Sequence, residues 1–554
     1  MEILKTDVLI IGGGSAGCLA AIAAKDADPN LNVTIFEKAN VKRSGSLATG
    51  MDALNIVAVP GISTPEEYVK RVGRSLHGVI DDELHYILAE KSFAMLKKLE
   101  QWGIKFEKDD EGKYVVKDLF SAGGKFLVPM DGENLKLILA REVKSRKIKV
   151  LNHTMATSLI SDFKSVHGAT GLNIRTGEFI ACSAKATILT SGGCSRFGLP
   201  TSQYLFGTFD FPGNAGDGYA MAYRAGADLA GFEFVQYWIE CKGLNTPLGK
   251  YYLDKLDVKY IDADGNEIPD TDDPEYLVQS LLNRRDPIYE KFSHLPEETI
   301  KKIEQTMFSS EKKLSILRFF KERGLDIRKD LIEYDFEDAC LCGGHGASGV
   351  KIDPEAKTSL QGLYAAGDVA YVPWQMLTGA FVFGEIAGQS AANYAKTCGA
   401  PEIDLDFVRK EEKRVFAPMS RSHGIKPSMF EFKLRRVITQ YLVPPTNEAK
   451  LRTALWWIKR FKTEDVNRLK ADDWHELGRA IETGFILDCA EMNARSALER
   501  KETRWSEMGG HCRSDFPERD DENWLKHVLV RIDPETGKMT ILTSPVKRTI
   551  TAGA

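Results

Sequence analysis

A glycine-rich turn near the start of the chain constrains its fold more than any other feature. The apolar run Val8–Ile11 leads into Gly12–Gly17, which reads Gly-Gly-Gly-Ser-Ala-Gly, and a second apolar run, Val33–Phe36, is followed at once by Glu37. This order of strand, turn, helix, strand and acid predicts a βαβ unit that binds a dinucleotide. The glycines permit the turn and let the backbone approach a pyrophosphate at a helix N-terminus. The alternative is an ordinary glycine-rich turn.

The length and composition describe a globular protein of several domains. A chain of 554 residues is too long for one core, so two to four domains are expected. The formal net charge of −5 and the lack of a basic run with interleaved aromatics argue against nucleic-acid binding. We find no apolar stretch that could span a bilayer and no room for a signal peptide, so the expected location is the cytoplasm.

The nine cysteines predict reduced thiols, since their number is odd and their spacing is irregular. No Cys-x-x-Cys motif is present, and we therefore expect no structural metal site and no iron–sulfur cluster within the chain. Cys340 and Cys342 form the one close pair, which is interpreted as local packing, with redox chemistry as the alternative.

Two later segments favour FAD over NAD. Gly362–Asp368 predicts a short strand ending in Gly-Asp, followed by Gly379 and a helix of small residues that opens at Gly384. Ala186–Gly193 predicts a buried strand that ends in a Gly-Gly turn. Glycine-punctuated strands spread over such a distance are typical of a large dinucleotide site whose helix N-terminus faces the flavin ring.

The residues predicted to contact the cofactor lie on these segments and on their immediate neighbours. They are Gly12, Gly14, Ser15, Ala16, Gly17, Glu37, Lys38, Ser44, Gly45, Ser191, Gly192, Asp217, Gly367, Asp368 and Gly384.

Five segments together resemble the fumarate reductase and succinate dehydrogenase flavoprotein superfamily. They are Gly12–Gly17, Lys42–Gly45, Gly216–Gly218, Gly362–Asp368 and Asp515–His527. The resemblance covers nearly the whole chain and implies an α/β fold class: a Rossmann-like, two-dinucleotide-binding FAD domain, an inserted α+β capping domain and a C-terminal helical domain. The implied boundaries are 1–236 and 341–404 for the FAD domain, 237–340 for the cap, 405–527 for the helical domain and 528–554 for a C-terminal tail.

Two departures from the dicarboxylate enzymes of that superfamily bear on function. Those enzymes carry a histidine that bonds covalently to the flavin where this chain has Gly45, so the resemblance implies noncovalent FAD. They also carry an arginine that clamps a substrate carboxylate, whereas Trp374–Gly379 contains none. A dicarboxylate site needs paired cations, so plain fumarate reduction is not the expected activity.

The segment Phe36–Asn55 is similar to that of adenylylsulfate reductase flavoprotein subunits. That branch implies catalytic roles for Asn55, Glu133 and His345. An arginine of the branch has no counterpart in Phe232–Glu240, and Arg284 and Arg285 of the cap are the candidates to replace it. The alternatives are a turn residue at Asn55, an acid offsetting a helix dipole at Glu133 and a hydrogen-bonding loop residue at His345.

The resemblance implies an FAD-dependent oxidoreductase that exchanges two electrons between flavin N5 and a small polar anion. Electrons are expected to pass through an iron–sulfur partner subunit. The alternatives are an enzyme of the fumarate reductase, succinate dehydrogenase or L-aspartate oxidase type, and an electron-transfer module without an organic substrate. Arg504 lies in a charged run, Arg500–Arg504, for which a solvated helix face is an equally good interpretation.

Overall fold

The computed structural model describes residues 3–49, 51–75, 77–119, 124–200, 211–237, 239–244, 259–268, 274–283, 287–309, 313–336, 338–506 and 509–550. Its strands, in chain order, are β1 (Ile3–Ile11), β2 (Val33–Glu37), β3 (Ala53–Leu54), β4 (Lys105–Phe106), β5 (Lys117–Asp118), β6 (Lys125–Asp131), β7 (Lys149–Asn152), β8 (Thr154–Ser161), β9 (Val166–Asn173), β10 (Phe179–Leu189), β11 (Leu229–Ala230), β12 (Val235–Gln236), β13 (Ile239–Cys241), β14 (Lys259–Ile261), β15 (Glu267–Ile268), β16 (Ile288–Lys291), β17 (Ile332–Phe336), β18 (Gly349–Val350), β19 (Leu363–Ala365), β20 (Arg504–Ser506), β21 (Gly509–His511), β22 (Lys526–Ile532) and β23 (Met539–Pro545).

The α-helices are α1 (Ser15–Ala27), α2 (Pro65–Ser75), α3 (Asp82–Gln101), α4 (Leu135–Ser145), α5 (Asp217–Ala225), α6 (Pro274–Asn283), α7 (Glu297–Ser309), α8 (Lys313–Arg323), α9 (Met376–Thr397), α10 (Leu405–Phe416), α11 (Pro427–Tyr441), α12 (Glu448–Arg460), α13 (Trp474–Glu499) and α14 (Asp521–Trp524). Short helical turns of other types occupy Ser46–Thr49, Gly367–Val369, Phe461–Asp465 and Val466–Arg468.

The largest sheet has the strand order β7-β2-β1-β10-β9-β8, with β19 paired to β10. Strands β1, β2, β7, β10 and β19 run parallel, and β9 pairs antiparallel with both β10 and β8. The run Val8–Ile11 is buried on both faces, as its unbroken apolar sequence requires of a central parallel strand. The predicted α/β, dinucleotide-binding fold class is confirmed.

Helices α1 and α9 pack against each other through residues without large side chains. A β-carbon at Gly384 would lie 2.6 Å from the carbonyl oxygen of Ala16, and one at Gly388 would lie 2.2 Å from that of Ala20. Only glycine lets the two helix backbones come this close. This packing fixes the start of α1, where the glycine turn lies, relative to the end of β19.

The five-stranded sheet β13-β17-β16-β14-β15 lies apart from the first sheet, with α6, α7 and α8 in the same stretch of chain. Its side chains form a hydrophobic cluster of their own around Phe292, Ile303 and Tyr334. Trp505 and Cys512 also belong to this cluster, so the C-terminal part of the chain contacts the inserted part.

The C-terminal part combines helices α10–α13 with two small sheets. Strand β12 pairs with β21 and β21 with β20, while β11 pairs with both β18 and β22, and β22 pairs with β23. The segment expected as a tail from residue 528 therefore carries most of a β-hairpin. No helix in the described ranges is both long enough and apolar enough to cross a bilayer.

Candidate functional site

The glycine turn, Gly12–Gly17, is shaped by close backbone contacts at two positions and by open space at a third. Gly12 has φ +103°, and a β-carbon there would lie 2.5 Å from the carbonyl oxygen of Thr190. A β-carbon at Gly17 would lie 1.9 Å from the carbonyl oxygen of Gly12, whereas at Gly14 no atom lies within 4 Å. The turn is thus tightly packed beneath and open at Gly14, where a bound group can approach the backbone.

Glu37 holds the turn in place from the end of β2. Its side chain is buried, with Oε2 accepting from the N–H of Gly13 at 2.7 Å and Oε1 accepting from the N–H of Ala39 at 2.7 Å. Each oxygen retains a lone pair, so these bonds are compatible with the predicted contact to a ribose. Glu37 therefore stabilises the glycine turn, and its contact with a ribose stays a prediction.

The end of β10 forms the facing wall. The hydroxyl of Thr190 donates to the carbonyl of Gly12 at 2.7 Å, which ties this wall to the glycine turn. The Oγ of Ser191 is buried without a hydrogen-bond partner, and Gly192 has φ +75°. An unpaired buried hydroxyl beside the glycine turn is the kind of group that a bound polar ligand satisfies.

Lys38 and Asp217, both predicted to contact FAD, contact each other. Their ion pair measures 2.8 Å, and Glu482 of α13 lies 2.9 Å from the same ammonium. Burial disfavours the ammonium, but the two carboxylates outweigh it and raise the pKa of Lys38 to about 12. These charges join the glycine-turn side of the molecule to the C-terminal helices.

Ser44 and Gly45 lie close to the glycine turn. The Ser44 hydroxyl donates to the carbonyl of Gly13 at 3.4 Å. A β-carbon at Gly45 would lie 3.3 Å from the Cα of Gly14, and Gly45 has no side chain for a covalent bond to a cofactor. Open backbone at Gly14, an unpaired buried hydroxyl at Ser191 and this absence of a side chain fit a noncovalently bound dinucleotide.

The second dinucleotide segment differs from its prediction at one point. Gly367 has φ +72° and abuts Ala16, so the Gly367–Asp368 turn does lie against the start of α1. The following helix, however, begins at Met376 rather than at Gly384. Gly384 lies in the helix interior and packs on Ala16, so the interpretation of Gly384 as part of a helix N-terminus was wrong. The absence of a side chain at Gly384 lets α9 pack closely against α1.

A cavity of about 380 Å³, part of it open to solvent, lies where five separate segments of the chain meet. We call it the histidine cavity. Its described lining residues are His77, Val79, Phe234, Val235, His345, Gly346, Ala347, Trp374, Arg504, Trp505, Ser506, Gly509 and Gly510. None of these described lining residues is acidic.

His345 is presented by a loop whose backbone is attached to the second dinucleotide segment. The N–H of Gly343 donates to the carbonyl of Asp368 at 2.9 Å, and the carbonyl of Gly344 accepts from Met376, the first residue of α9, at 3.1 Å. The predicted catalytic histidine therefore lies between the Gly367–Asp368 turn and the cavity.

The turn before α9 is strained. Trp374 has φ +63° and Met376 has φ +49°, a region that side chains larger than glycine rarely adopt. The backbone oxygen of Trp374 accepts from the Tyr68 hydroxyl at 3.1 Å, which helps to hold this conformation. Between the two residues, Gln375 donates to the carbonyl of Gly367 at 2.9 Å, and its Oε1 is buried without a partner. This turn occupies the place where an arginine was missing from the sequence pattern.

Arg504 is buried in a network of charges, so the interpretation of its run as a solvated helix face was wrong. We call Glu233, Arg500, Glu502, Arg504 and Asp521 the arginine–glutamate cluster. Glu502 accepts from Arg504 at 2.8 and 3.0 Å and from Arg500 at 2.7 Å. Arg500 in turn contacts Glu233 at 2.9 Å, and Asp521 contacts Arg504 at 2.8 Å. Two guanidiniums are thus offset by three carboxylates.

His77 lines the cavity, and its hydrogen bonds fix it as a single tautomer. Its Nδ1 accepts from Arg519 at 2.9 Å, and its Nε2 donates to the carbonyl of Trp505 at 2.6 Å. An imidazole that both accepts and donates is neutral. Burial lowers the pKa of His77, and the charges of Arg519 and Arg504 lower it further.

The remaining catalytic candidates are not all brought together. Asn55 is buried beside the first turn of α9, where its carbonyl accepts from Thr378, and its Oδ1 has no partner. Glu133 is exposed two residues before α4 and does not line the histidine cavity. Arg284 and Arg285 lie outside the described residues.

Sequence reasoning missed several residues of the cavity. His77 and Trp374 stand alone in their segments, and no motif marks them. Glu502 sits among charged neighbours that have the composition of an exposed run, so its burial could not be read from the pattern. In the described ranges no group of His, Cys, Asp and Glu could hold a metal ion, and all nine cysteines carry free thiols.

Two family models match the N-terminal and C-terminal parts of the chain. Residues 7–243 match the family model of the FAD binding domain, and residues 431–552 match that of the fumarate reductase flavoprotein C-terminus. One subunit of the CoM/CoB fumarate reductase of Methanothermobacter marburgensis is 27% identical, over 96% of this chain and 99% of the relative.

Two solved structures are similar to this chain over nearly its full length. Adenylylsulfate reductase from Archaeoglobus fulgidus superposes with a TM-score of 0.89 at 26% identity, covering 99% of this chain and 97% of that one. The E. coli quinol fumarate reductase chain superposes with a TM-score of 0.82 at 20% identity, covering 100% and 99%, and shows the likeness of fold alone.

Proposed function

We propose that this chain, which belongs to the fumarate reductase and succinate dehydrogenase flavoprotein family and is an FAD-dependent oxidoreductase, binds its substrate in the histidine cavity. The substrate is a small anion, and two electrons pass between it and FAD. The observation that carries the proposal is the position of His345, in the cavity wall and on a loop bonded to the Gly367–Asp368 turn.

The lining of the cavity suits an anion. His77, His345 and Arg504 belong to the lining, no described lining residue is acidic, and Val79, Phe234 and Trp374 contribute apolar surface. The charge of Arg504 is largely offset by Glu502 and Asp521, so the cavity is weakly rather than strongly positive. Such a site matches one anionic group better than two clamped carboxylates.

The bound FAD supplies two-electron chemistry, and the chain supplies the proton and the orientation. His345 is the proposed proton carrier, because an imidazole can both accept and donate a proton and this one lies on the wall nearest the second dinucleotide segment. His77 is fixed as a neutral side chain and shapes another part of the wall. Asn55, at the first turn of α9, is proposed to contact FAD or substrate through its unpaired Oδ1.

The first candidate activity is that of an adenylylsulfate reductase-like flavoprotein. The histidine in the Gly343–Gly346 loop, the absence of arginine from Trp374–Gly379 and the likeness to the Archaeoglobus enzyme support it. Electrons are proposed to pass through an iron–sulfur partner subunit. The cysteines of this chain are not proposed to relay electrons.

The second candidate is reduction of fumarate, or the reverse oxidation of succinate. The full-length similarity to the Methanothermobacter fumarate reductase favours it. In this chain another cation would have to replace the missing arginine of the turn before α9. The cap residues Arg284 and Arg285 stay predicted for a different role, that of the arginine which adenylylsulfate reductase flavoproteins carry where this chain has Phe232–Glu240.

A pair of anaerobic mixing experiments separates the candidates. Oxidised holoprotein is mixed with sulfite, with and without AMP, and photoreduced holoprotein is mixed with fumarate, while the flavin spectrum is recorded. The adenylylsulfate proposal predicts a sulfite-dependent spectral change that deepens with AMP. Rapid reoxidation by fumarate would instead establish the second candidate. A flavin that responds to neither reagent would contradict both.

A further inference from the structure

Lys136 is a buried lysine whose position no part of the glycine motif anticipates. It is the second residue of α4, and its side chain is only 3% exposed. Its ammonium donates to the carbonyl of Gly13 and lies 3.6 Å from the Sγ of Cys18. In the described part of the chain no carboxylate oxygen comes within ion-pair distance of it.

The thiol of Cys18 does not serve as a counter-ion for this lysine. Burial raises the pKa of the Cys18 thiol, which therefore stays protonated, and its sulfur donates to the carbonyl of Gly13 at 3.3 Å. A buried ammonium with only neutral partners is costly, because the desolvation of the charge is not repaid. In the described residues the ammonium accordingly has no anion in direct contact with it.

Three donors converge on the carbonyl of Gly13: the ammonium of Lys136, the thiol of Cys18 and the hydroxyl of Ser44. A trans peptide is planar, so fixing this carbonyl directs the N–H of Gly14 the opposite way. Among the described residues that N–H has no acceptor, and open space adjoins Gly14. The next N–H groups are those of the first turn of α1, which lack partners within the helix.

Opposite charges flank a single glycine. The carboxylate of Glu37 accepts from the N–H of Gly13, and the ammonium of Lys136 donates to its carbonyl. Together they fix the peptides on both sides of Gly13. Glu37 keeps the turn on the strand side, and Lys136 keeps the outward N–H of Gly14 available for an anion.

We propose that Lys136 is a diphosphate-positioning residue of the FAD site. It orients the Gly13–Gly14 peptide so that the Gly14 N–H donates to the diphosphate, and its buried charge is offset by that diphosphate. The role belongs to an element more than a hundred residues after the motif, so the glycine turn of this chain is completed by α4.

The test uses ligands that contain or lack the diphosphate. Deflavinated protein carrying Lys136→Met, Lys136→Gln or, as a control on the same helix, the exposed Lys144→Met is titrated with FAD, ADP and riboflavin. The Met variant removes both the donor and the charge, whereas Gln keeps a donor for the Gly13 carbonyl. Thermal unfolding of each apoprotein is measured in parallel.

The proposal predicts that Lys136→Met raises the Kd of FAD and of ADP by about tenfold or more, the scale of one lost charge-assisted interaction. Lys136→Gln has a smaller effect, Lys144→Met has none, and the affinity for riboflavin changes in none of them. The apoprotein of Lys136→Met unfolds no earlier than wild type, since a costly buried charge has been removed.

Unchanged affinities of Lys136→Met for FAD and ADP would overturn the proposal, whichever way its melting temperature moves. If the Met variant does not fold, the same comparison is made with Lys136→Gln, for which wild-type affinities for both ligands would equally overturn it.

Discussion

The glycine turn and the histidine cavity place their polar groups by different means. The turn presents backbone N–H groups, and its shape follows from six consecutive residues packed against the end of β10. The cavity is lined from five separate segments, and three of its polar residues depend on partners elsewhere in the chain: His77 on Arg519, the His345 loop on Asp368, and Arg504 on Asp521. A backbone site can be recognised from local sequence, whereas a side-chain site depends on the tertiary fold.

The largest expected effect comes from glycines of the turn, and two of them should behave in opposite ways. Gly17→Ala places a methyl group 1.9 Å from the carbonyl of Gly12, so the apoprotein should be strongly destabilised and isolated without FAD. Gly14→Ala places it in open space, so the apoprotein should melt like wild type but bind FAD more weakly. Melting temperature and FAD content of the two variants check this. Equal destabilisation by both substitutions would show that the space beside Gly14 is not open.

The next largest effect concerns the arginine–glutamate cluster behind the cavity. Glu502→Gln leaves Arg500 and Arg504 without their shared carboxylate, and breaking a buried ion pair in this way costs about 3–5 kcal/mol. The free energy of unfolding, measured by urea titration, should fall by an amount on that scale. Glu499→Gln, on an exposed position at the end of α13, is the matched control and should leave it nearly unchanged. Similar values for both variants would mean that the cluster does not stabilise the cavity wall.

A pH-dependent effect is expected at His511, which lies beside Arg500. Burial, and then the charge of Arg500, lower the pKa of His511 to about 3 in the folded protein. The unfolded chain takes up this proton near pH 6.5, so stability should decrease as the pH falls from about 6.5 towards 3. His511→Gln should lose less stability than wild type between pH 7.5 and 5. Parallel losses in the two proteins would assign the acid sensitivity to other groups.

The smallest change in pH dependence is expected at Glu482, near the glycine-turn side. Burial alone would raise the pKa of Glu482, but Lys38 and Arg196 lower it below the ordinary value. Its contribution to stability is therefore complete above about pH 4.3 and is lost as the pH falls below that value. In Glu482→Gln the melting temperature should depend less on pH than in wild type below about pH 4.3, and to the same extent as in wild type above it. A change confined to the range above pH 5 would contradict the assignment.

The sequence predicted the fold class, the dinucleotide unit and the cofactor, because glycine spacing and apolar runs report backbone geometry directly. Through resemblance it also singled out His345 and Asn55, which the structure brings near the first turn of α9. Their catalytic roles stay predictions. It misjudged the start of α9, since Gln375 and Met376 give no local signal of a helix, and it could not foresee the burial of Arg504. Charged residues look alike in a sequence whether they face water or each other.

The residues that sequence reasoning missed share a physical cause. Lys136 and Glu502 are charged, and their surroundings in the chain are those of solvated helix or loop positions. Lys136 is buried against the carbonyl of Gly13, more than a hundred residues away in the chain. Glu502 is buried with the two guanidiniums of its own run, those of Arg500 and Arg504. Their roles become visible only when the segments are assembled.

The most direct test of the central claim is the flavin reaction of His345→Gln. The mixing experiments with AMP plus sulfite and with fumarate are repeated on this variant, with the exposed His423→Gln as control, using whichever reagent changes the wild-type flavin spectrum. If His345 carries the proton in the cavity, its loss should slow that reaction by about a hundredfold or more, with the resting flavin spectrum unchanged. A rate equal to that of wild type would contradict the placement of the reaction in the histidine cavity.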